Sequence, residues 1–199
     1  MPSIPEDDPT GVSDEVLMES LRQGKDYALA ALMKRWEVSM KVFLLRLGVP
    51  PSDVEDIAQE AFLRLYRSRE KYRVGAPFKP WLLTIAGNLA RNRLRWRFRR
   101  REESIQALDS DLVGGFDLED QSAPNAPAEI EKRRRGAVVQ SAINALPSRL
   151  REALVYVEIE DLTYRQAARV AGCSEKAIET RLYRAKQSLR STLRSLLVD

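Results

Sequence analysis

Residues 166–178 read QAARVAGCSEKAI, and their spacing predicts two helices that cross at a tight turn. Ala168 is small enough for a close crossing, Gly172 tolerates the positive φ of such a turn, and Ile178 supplies an apolar anchor on the second helix. Thr163 and Gln166 fit a capping box that would open the first helix. The stretch therefore predicts a helix-turn-helix, whose second helix typically enters the major groove of DNA.

In such a motif the N-terminal end of the second helix faces the bases, and residues further along the helix meet phosphates. Glu179 leaves two interpretations open. Its carboxylate accepts a hydrogen bond from a cytosine amino group, or it forms a helix salt bridge with a neighbouring cation such as Lys176. The candidate DNA contacts of this helix are Ser174, Lys176, Ala177, Glu179, Thr180, Arg181, Arg184 and Lys186.

Helical periodicity extends to both sides of this motif, and no convincing strand pattern occurs in the chain. Ser13 and Ser52 are placed as N-caps, and Gly24 and Gly48 as helix ends. The segment 102–131 holds nine acidic residues, no Lys or Arg, and several Gly and Pro, which indicates a flexible linker. We predict an all-α fold of two small helical domains joined by this acidic linker: a tail 1–12, a first domain 13–101, the linker 102–131 and a helix-turn-helix domain 132–199.

The charge of the chain is spread unevenly. The formal net charge is +4, but without the acidic linker the remainder carries about +13, which implies a polyanionic partner such as nucleic acid. The chain has no His and one Cys, Cys173, so an internal disulfide and a Cys-cluster metal site are excluded and no cofactor is expected. No apolar run reaches transmembrane length and the N-terminus is acidic, which predicts a cytoplasmic protein without membrane insertion.

Residues 88–101, NLARNRLRWRFRRR, hold seven arginines in fourteen positions. By itself this stretch fits a nucleic-acid-binding helix, a membrane-surface helix or a solvated helix end. The apolar positions near the arginines continue a core stripe rather than a lipid-facing one, so the membrane interpretation is the weakest. The neighbouring segments are needed to decide between the other two.

Those neighbouring segments resemble motifs of a known protein family. The helix DVEDIAQEAF, the turn FKPWL followed by IAGNLARN, and the ending LTYRQAARVAGCSEKAIETRLYRAKQSL occur in the order of the extracytoplasmic-function (ECF) sigma factors. These are compact two-domain members of the sigma-70 family of bacterial transcription initiation factors, and the resemblance covers about residues 20–101 and 136–194. It implies a non-enzymatic subunit that binds core RNA polymerase and promoter DNA, with an anti-sigma factor as a further partner.

The resemblance also implies that the helix DVEDIAQEAFLRLYR docks on the coiled-coil clamp of core polymerase. Its apolar stripe faces the protein core, and its acidic side suits a basic partner helix. Two other interpretations remain for these acids: interaction with the helix dipole in the first turn, or a metal site in a magnesium-dependent nuclease. The candidate polymerase contacts are Asp53, Glu55, Asp56, Gln59 and Glu60, of which Asp53, Asp56 and Glu60 would form the metal site.

The family's promoter-melting element corresponds to YRVGAPFKPWLLTIAGNLARNRLRWR. Opening a duplex requires capture of an unstacked base, for which aromatic rings and cations are suited. The amides and arginines recur at i, i+3, i+4 and i+7, so they share one helix face, while Trp81 has the alternative of a place in the core. The resemblance places minus-10 contacts at Tyr72, Phe78, Trp81, Asn88, Arg91, Asn92 and Arg95, and minus-35 recognition in the helix-turn-helix.

A helix-turn-helix repressor or activator without a polymerase-subunit role is the main alternative. Such a protein binds duplex DNA tightly by itself and does not associate with polymerase. The nuclease alternative predicts magnesium-dependent cleavage that Asp56→Ala abolishes.

Overall fold

The computed structural model describes the backbone of residues 11–105 and 127–196 and the side chains of residues 11–100 and 136–194. Within these ranges the chain is helical and has no strand, which confirms the all-α prediction. A 3₁₀ turn spans Arg69–Lys71 and a π-helical segment spans Val155–Ile159. The α-helices are α1 (Asp14–Arg22), α2 (Tyr27–Arg46), α3 (Pro51–Arg67), α4 (Phe78–Ile105), α5 (Pro127–Asn144), α6 (Ser148–Leu154), α7 (Tyr164–Ala171) and α8 (Glu175–Leu196).

Most of the sequence signals for helix ends are confirmed. Ser13 Oγ accepts a hydrogen bond from the Val16 amide, and Gly24 and Gly48 have φ values of +83° and +87°. The N-cap assigned to Ser52 is wrong, because α3 begins at Pro51 with Pro50 as its N-cap. Proline suits the first position of a helix, where its fixed φ is helical and no amide proton is needed.

The helices extend into both ends of the acidic segment 102–131. Helix α4 continues to Ile105, and α5 begins at Pro127. Glutamates at these ends favour helix. The rest of the predicted linker, residues 106–126, and residues 1–10 of the predicted tail lie outside the described part of the chain.

Helices α1–α4 form the N-terminal block. The apolar stripe of α3 is buried, from Val54 to Leu65, as its helical spacing predicts. Helix α1 fixes its neighbours through two adjacent carboxylates. Asp14 accepts hydrogen bonds from Arg35 and Trp36 of α2, and Glu15 accepts one from the Phe78 amide at the start of α4.

Helices α5–α8 form the C-terminal block, in which α8 packs against α5, α6 and α7. The two blocks also pack against each other, chiefly through α4 and α7, and their buried residues form one continuous hydrophobic core. Among the described helices, none is long and apolar enough to cross a bilayer.

Candidate nucleic-acid interface

The start of α4 is held by a carboxylate from another helix. Glu15 Oε1 lies 3.0 Å from the Phe78 amide nitrogen, so α1 caps α4 over a separation of 63 residues. The Phe78 amide lowers the pKa of Glu15 below its ordinary value of 4.5, because the hydrogen bond favours the charged carboxylate. Helix α4 therefore has a fixed N-terminus next to the loop that precedes it.

The three aromatic residues of the predicted melting element lie together at this point. Tyr72 contacts Trp81 with ring centroids 5.1 Å apart, and Phe78 lies 6.3 Å from Trp81. Phe78 is 0% exposed and Tyr72 2% exposed, whereas Trp81 is half-buried. Burial raises the pKa of Tyr72 to about 12. In this conformation the Tyr72 and Phe78 rings belong to the core, and base stacking by these residues stays a prediction.

The polar face of α4 separates into two hydrogen-bonded pairs. Asn92 accepts a hydrogen bond of 2.7 Å from Arg95, and both side chains are exposed. Asn88 likewise accepts from Arg91, but the Arg91 guanidinium also reaches residues of the C-terminal block. The spacing correctly places the four residues on one face, while only Asn88, Asn92 and Arg95 are exposed there.

The arginine-rich end of α4 presents two aromatic rings that are not among the predicted DNA contacts. Trp96 is 45% and Phe98 62% exposed, and the Arg100 guanidinium lies 4.7 Å from the centre of the Trp96 ring. A shallow cleft of about 490 Å³ is lined by Asn92, Arg95, Phe98 and Arg99. Exposed aromatic rings between arginines suit single-stranded nucleic acid, and their interleaving in the sequence was the available signal.

The acidic side of α3 is largely engaged within the chain. Asp53 is paired with Arg97 at 3.3 Å and Arg93 at 3.8 Å of α4. Glu55 pairs with Lys41 of α2 at 2.6 Å, and that contact lowers the pKa of the Glu55 carboxyl. Glu60 binds Arg64, and Gln59 donates to Glu55. Asp56 is exposed and forms no ion pair with a described residue.

An apolar groove adjoins the acidic side of α3. It lies between α2 and α3, has a volume of about 440 Å³, and is lined by Asp26, Leu29, Met33, Gln59, Phe62, Leu63 and Tyr66. Met33 and Leu63 are 38% and 41% exposed. Gln59 is thus the one predicted polymerase contact that lines this groove.

The three carboxylates of the alternative metal site do not come together as metal ligands. Within the part of the chain whose side chains are described, no three Asp, Glu or Cys residues form a group that would hold a metal ion. Asp53 instead contacts the arginines of α4.

The predicted helix-turn-helix is present as α7 and α8. Thr163 and Gln166 form both hydrogen bonds of the capping box, and Gly172 ends α7 with φ 66° and ψ 43°. Ser174 Oγ accepts from the Ala177 amide at the start of α8. Ala168 and Ile178, the small crossing residue and the apolar anchor, are both buried. The local sequence therefore fixes the angle between the two helices.

The N-terminal end of α8 is open to solvent. Ser174, Lys176, Glu179 and Thr180 are exposed. Lys176 Nζ lies 2.9 Å from Glu179 Oε2, so the salt-bridge interpretation of Glu179 describes the free chain. Arg184 is exposed further along the helix, whereas Arg181 donates to Cys173 Sγ and Lys186 pairs with Glu158.

These features define a class of protein: an all-α chain with a helix-turn-helix whose second helix has an exposed N-terminal end, and a separate helix in which arginines alternate with exposed aromatic rings. Two family models match the chain. They are Sigma-70 region 2 over residues 32–101 and Sigma-70, region 4 over residues 137–189. The matched ranges include most of α4 and most of the helix-turn-helix, respectively.

Sequence relatives agree with both matches. The chain is 30% identical over 188 residues to the ECF RNA polymerase sigma-E factor of Escherichia coli (strain K12), covering 94% of this chain and 97% of that protein. It is 32% identical over 193 residues to the RNA polymerase sigma-H factor of Pseudomonas aeruginosa, with the same coverage. The chain belongs to the ECF sigma factors of the sigma-70 family.

Two solved structures share the fold. CnrH, in complex with the cytosolic domain of CnrY, has a TM-score of 0.64 and 24% identity, covering 92% of this chain and 97% of that chain. The sigma factor RpoE of Bartonella quintana, in complex with the anti-sigma factor NepR, has a TM-score of 0.65 and 20% identity, covering 83% and 96%.

Proposed function

We propose that this chain is a sigma subunit: it binds core RNA polymerase, recognises promoter DNA and directs the start of transcription. The observation that carries the proposal is the 30% identity to the E. coli sigma-E factor in an alignment that covers 94% of the chain and includes both DNA-suited surfaces. It acts as an initiation factor with no chemistry of its own, and its place is the cytoplasm, where polymerase and chromosome meet.

In this proposal each block contacts a different promoter element. Helix α8 reads the minus-35 element through the exposed side chains at its N-terminal end, including Ser174, Lys176 and Thr180. Helix α4 binds and helps to separate the minus-10 strands through Asn92, Arg95 and the exposed rings beyond them. Glu179 is available to a base edge only when its contact with Lys176 opens.

Helix α3 is the docking surface for core polymerase. Its exposed Asp56 offers a carboxylate that forms no ion pair with a described residue, and the apolar groove beside Gln59 offers a surface for a partner's apolar side chains. Asp53 has a different role in this proposal. It joins α3 to the arginine-rich end of α4, so that the polymerase-binding helix and the DNA-binding helix keep a fixed orientation relative to each other.

An anti-sigma factor is the proposed regulatory partner. The RpoE protein of Bartonella quintana, which shares the fold, was solved with such a partner. Exposed apolar side chains on α2 and α3, such as Met33 and Leu63, are suited to contact with another protein.

The test is reconstitution with purified core polymerase and a library of promoter fragments. We expect the full chain to form a complex with core polymerase and to start transcripts on a subset of templates that share sequence elements. Lys176→Ala should change which templates are used, whereas Glu70→Gln, on the 3₁₀ turn, should not. Tight duplex binding without polymerase association or transcripts would instead identify a helix-turn-helix regulator.

A further inference from the structure

Two side chains of opposite charge lie next to each other at the N-terminal end of α8. Lys176 Nζ lies 2.9 Å from Glu179 Oε2, and the two side chains are 80% and 52% exposed. Among the described residues, neither side chain forms another ion pair. Ile178 and Leu182 are buried on the other side of α8, so the Lys176–Glu179 pair faces solvent.

The hydroxyl groups at this end of α8 bind the backbone of the helix itself. Ser174 Oγ accepts a hydrogen bond of 3.2 Å from the Ala177 amide, and Thr180 Oγ1 donates one of 2.8 Å to the Lys176 carbonyl oxygen. A base that recruits either hydroxyl competes with one of these backbone contacts. The charged groups of Lys176 and Glu179 are therefore the side-chain groups that a base edge meets most directly.

The ion pair between these two side chains opens readily. An exposed pair at i, i+3 adds little to stability, because water and salt screen both charges. Opening therefore costs little when each charge gains a better partner. Residues three apart on a helix have Cβ atoms about 5–6 Å apart, and successive base pairs are about 3.4 Å apart. The two charged groups thus reach the same base pair or neighbouring ones.

A carboxylate in the major groove distinguishes base pairs more sharply than a neutral side chain does. The phosphates repel it at every sequence, and this repulsion is offset only where a base offers a hydrogen-bond donor. Cytosine N4 is such a donor, and its partner guanine has the acceptors O6 and N7, which suit a lysine ammonium. Adenine N6 is also a donor, but the adjoining adenine N7 is an acceptor and repels a carboxylate. A C·G pair therefore offers a partner to each half of the Lys176–Glu179 pair.

We propose that Glu179 is a specificity residue of α8: it requires a cytosine in the duplex, while Lys176 binds the guanine of the same or the neighbouring base pair. This proposal rests on the proposed function, in which α8 enters the major groove of promoter DNA. Glu179 lowers the affinity for every duplex that lacks this cytosine. It therefore narrows the range of promoters and does not strengthen binding in general.

The experiment selects duplexes from a pool with a randomised centre, using the full chain by itself and the full chain assembled with core polymerase. Glu179→Gln removes the charge and keeps the length of the side chain. The matched control is Glu158→Gln, which removes the same charge in the same block from a residue that pairs with Lys186, further along α8. Both carboxylates are exposed, so both variants should fold like the unsubstituted chain.

The unsubstituted chain should select duplexes with one required cytosine, at which any other base lowers the affinity about tenfold or more. Glu179→Gln should lose this preference and favour adenine, because a carboxamide both accepts from N6 and donates to N7. It should also bind duplexes without the cytosine more tightly than the unsubstituted chain does. Lys176→Ala should relax the selection of guanine, and Glu158→Gln should keep both preferences.

Three results would overturn the proposal. They are a cytosine preference that persists in Glu179→Gln, an equal loss of affinity for all duplexes in that variant, and no selection of any duplex with or without polymerase. The equal loss is the result expected if Glu179 only holds Lys176 in place. Selection of cytosine-containing duplexes without polymerase binding or transcripts would instead sink the proposed sigma function and leave the role of Glu179 intact.

Discussion

At the scale of single residues, polar side chains help to fix how the helices of the N-terminal block are arranged. Asp14 and Glu15 are neighbours on α1, yet one holds α2 through Arg35 and Trp36 and the other caps α4 at Phe78. An uncapped helix N-terminus leaves backbone amides without partners when it is buried. The Phe78 amide has no suitable acceptor in its own loop sequence, so α1 supplies one.

Removal of this cap gives a test of its role. Glu15→Ala should lower the free energy of unfolding by about 1 kcal/mol, the typical loss for a helix cap, with Glu15→Gln in between because an amide oxygen still accepts. The folded-state pKa of Glu15 is lowered, so the stabilisation is present above the ordinary value of 4.5 and is lost as the pH falls through the folded-state value. Urea unfolding of the full chain at neutral and acid pH measures both effects. Glu19→Ala, one turn later on α1, is the control, and an equal loss in that variant would contradict the capping role.

At the scale of elements, the local signals predicted the helix-turn-helix well. Thr163, Gly172 and Ile178 lie within residues 163–178, and each has the role that its side chain predicts: cap, turn and apolar anchor. The positive φ at Gly172 is the clearest case, because a Cβ atom there meets no neighbour and the constraint comes from the backbone alone.

Gly172 and Gly136 should therefore respond differently to substitution by alanine. Gly172→Ala should destabilise the chain by about 1 kcal/mol through its left-handed backbone, and Gly136→Ala should stabilise helix α5 by up to about 1 kcal/mol. Gly172→Ala should also weaken duplex binding, since the turn sets the direction of α8. Thermal unfolding and a duplex-binding titration measure the pair. Equal shifts in both variants would show that the turn does not need glycine.

Contacts between residues that are far apart in the chain could not be predicted from the sequence. The periodicity of α4 placed Asn88, Arg91, Asn92 and Arg95 on one face, but it could not show that Arg91 meets a carbonyl 79 residues away. Similarly, the resemblance predicts a DNA contact at Phe78, and the structure buries this residue as the first of α4. In α3, Asp53 and Asp56 have similar positions in the pattern, and only the packing of α4 distinguishes them.

That difference predicts unequal effects on polymerase binding. Asp56→Lys should weaken binding to core polymerase about tenfold or more, because it reverses an exposed charge aimed at a basic partner. Asp53→Asn should chiefly lower the stability of the contact between α3 and α4. Fluorescence titration of labelled chain with core polymerase measures the affinity, and Glu70→Lys is the control for the charge change. Equal affinities for Asp56→Lys and Glu70→Lys would place the polymerase contact elsewhere.

At the scale of the whole molecule, the two blocks share one hydrophobic core, and charged side chains also contact each other between them. The pairing of Arg91 with Glu152 adds little net stability, because burial disfavours the charged carboxylate and raises the pKa of Glu152. Such a pair specifies which surfaces meet. The stacked Tyr156 and Phe43 rings supply an apolar contact between the blocks, and the polar groups beside them determine which surfaces pack together.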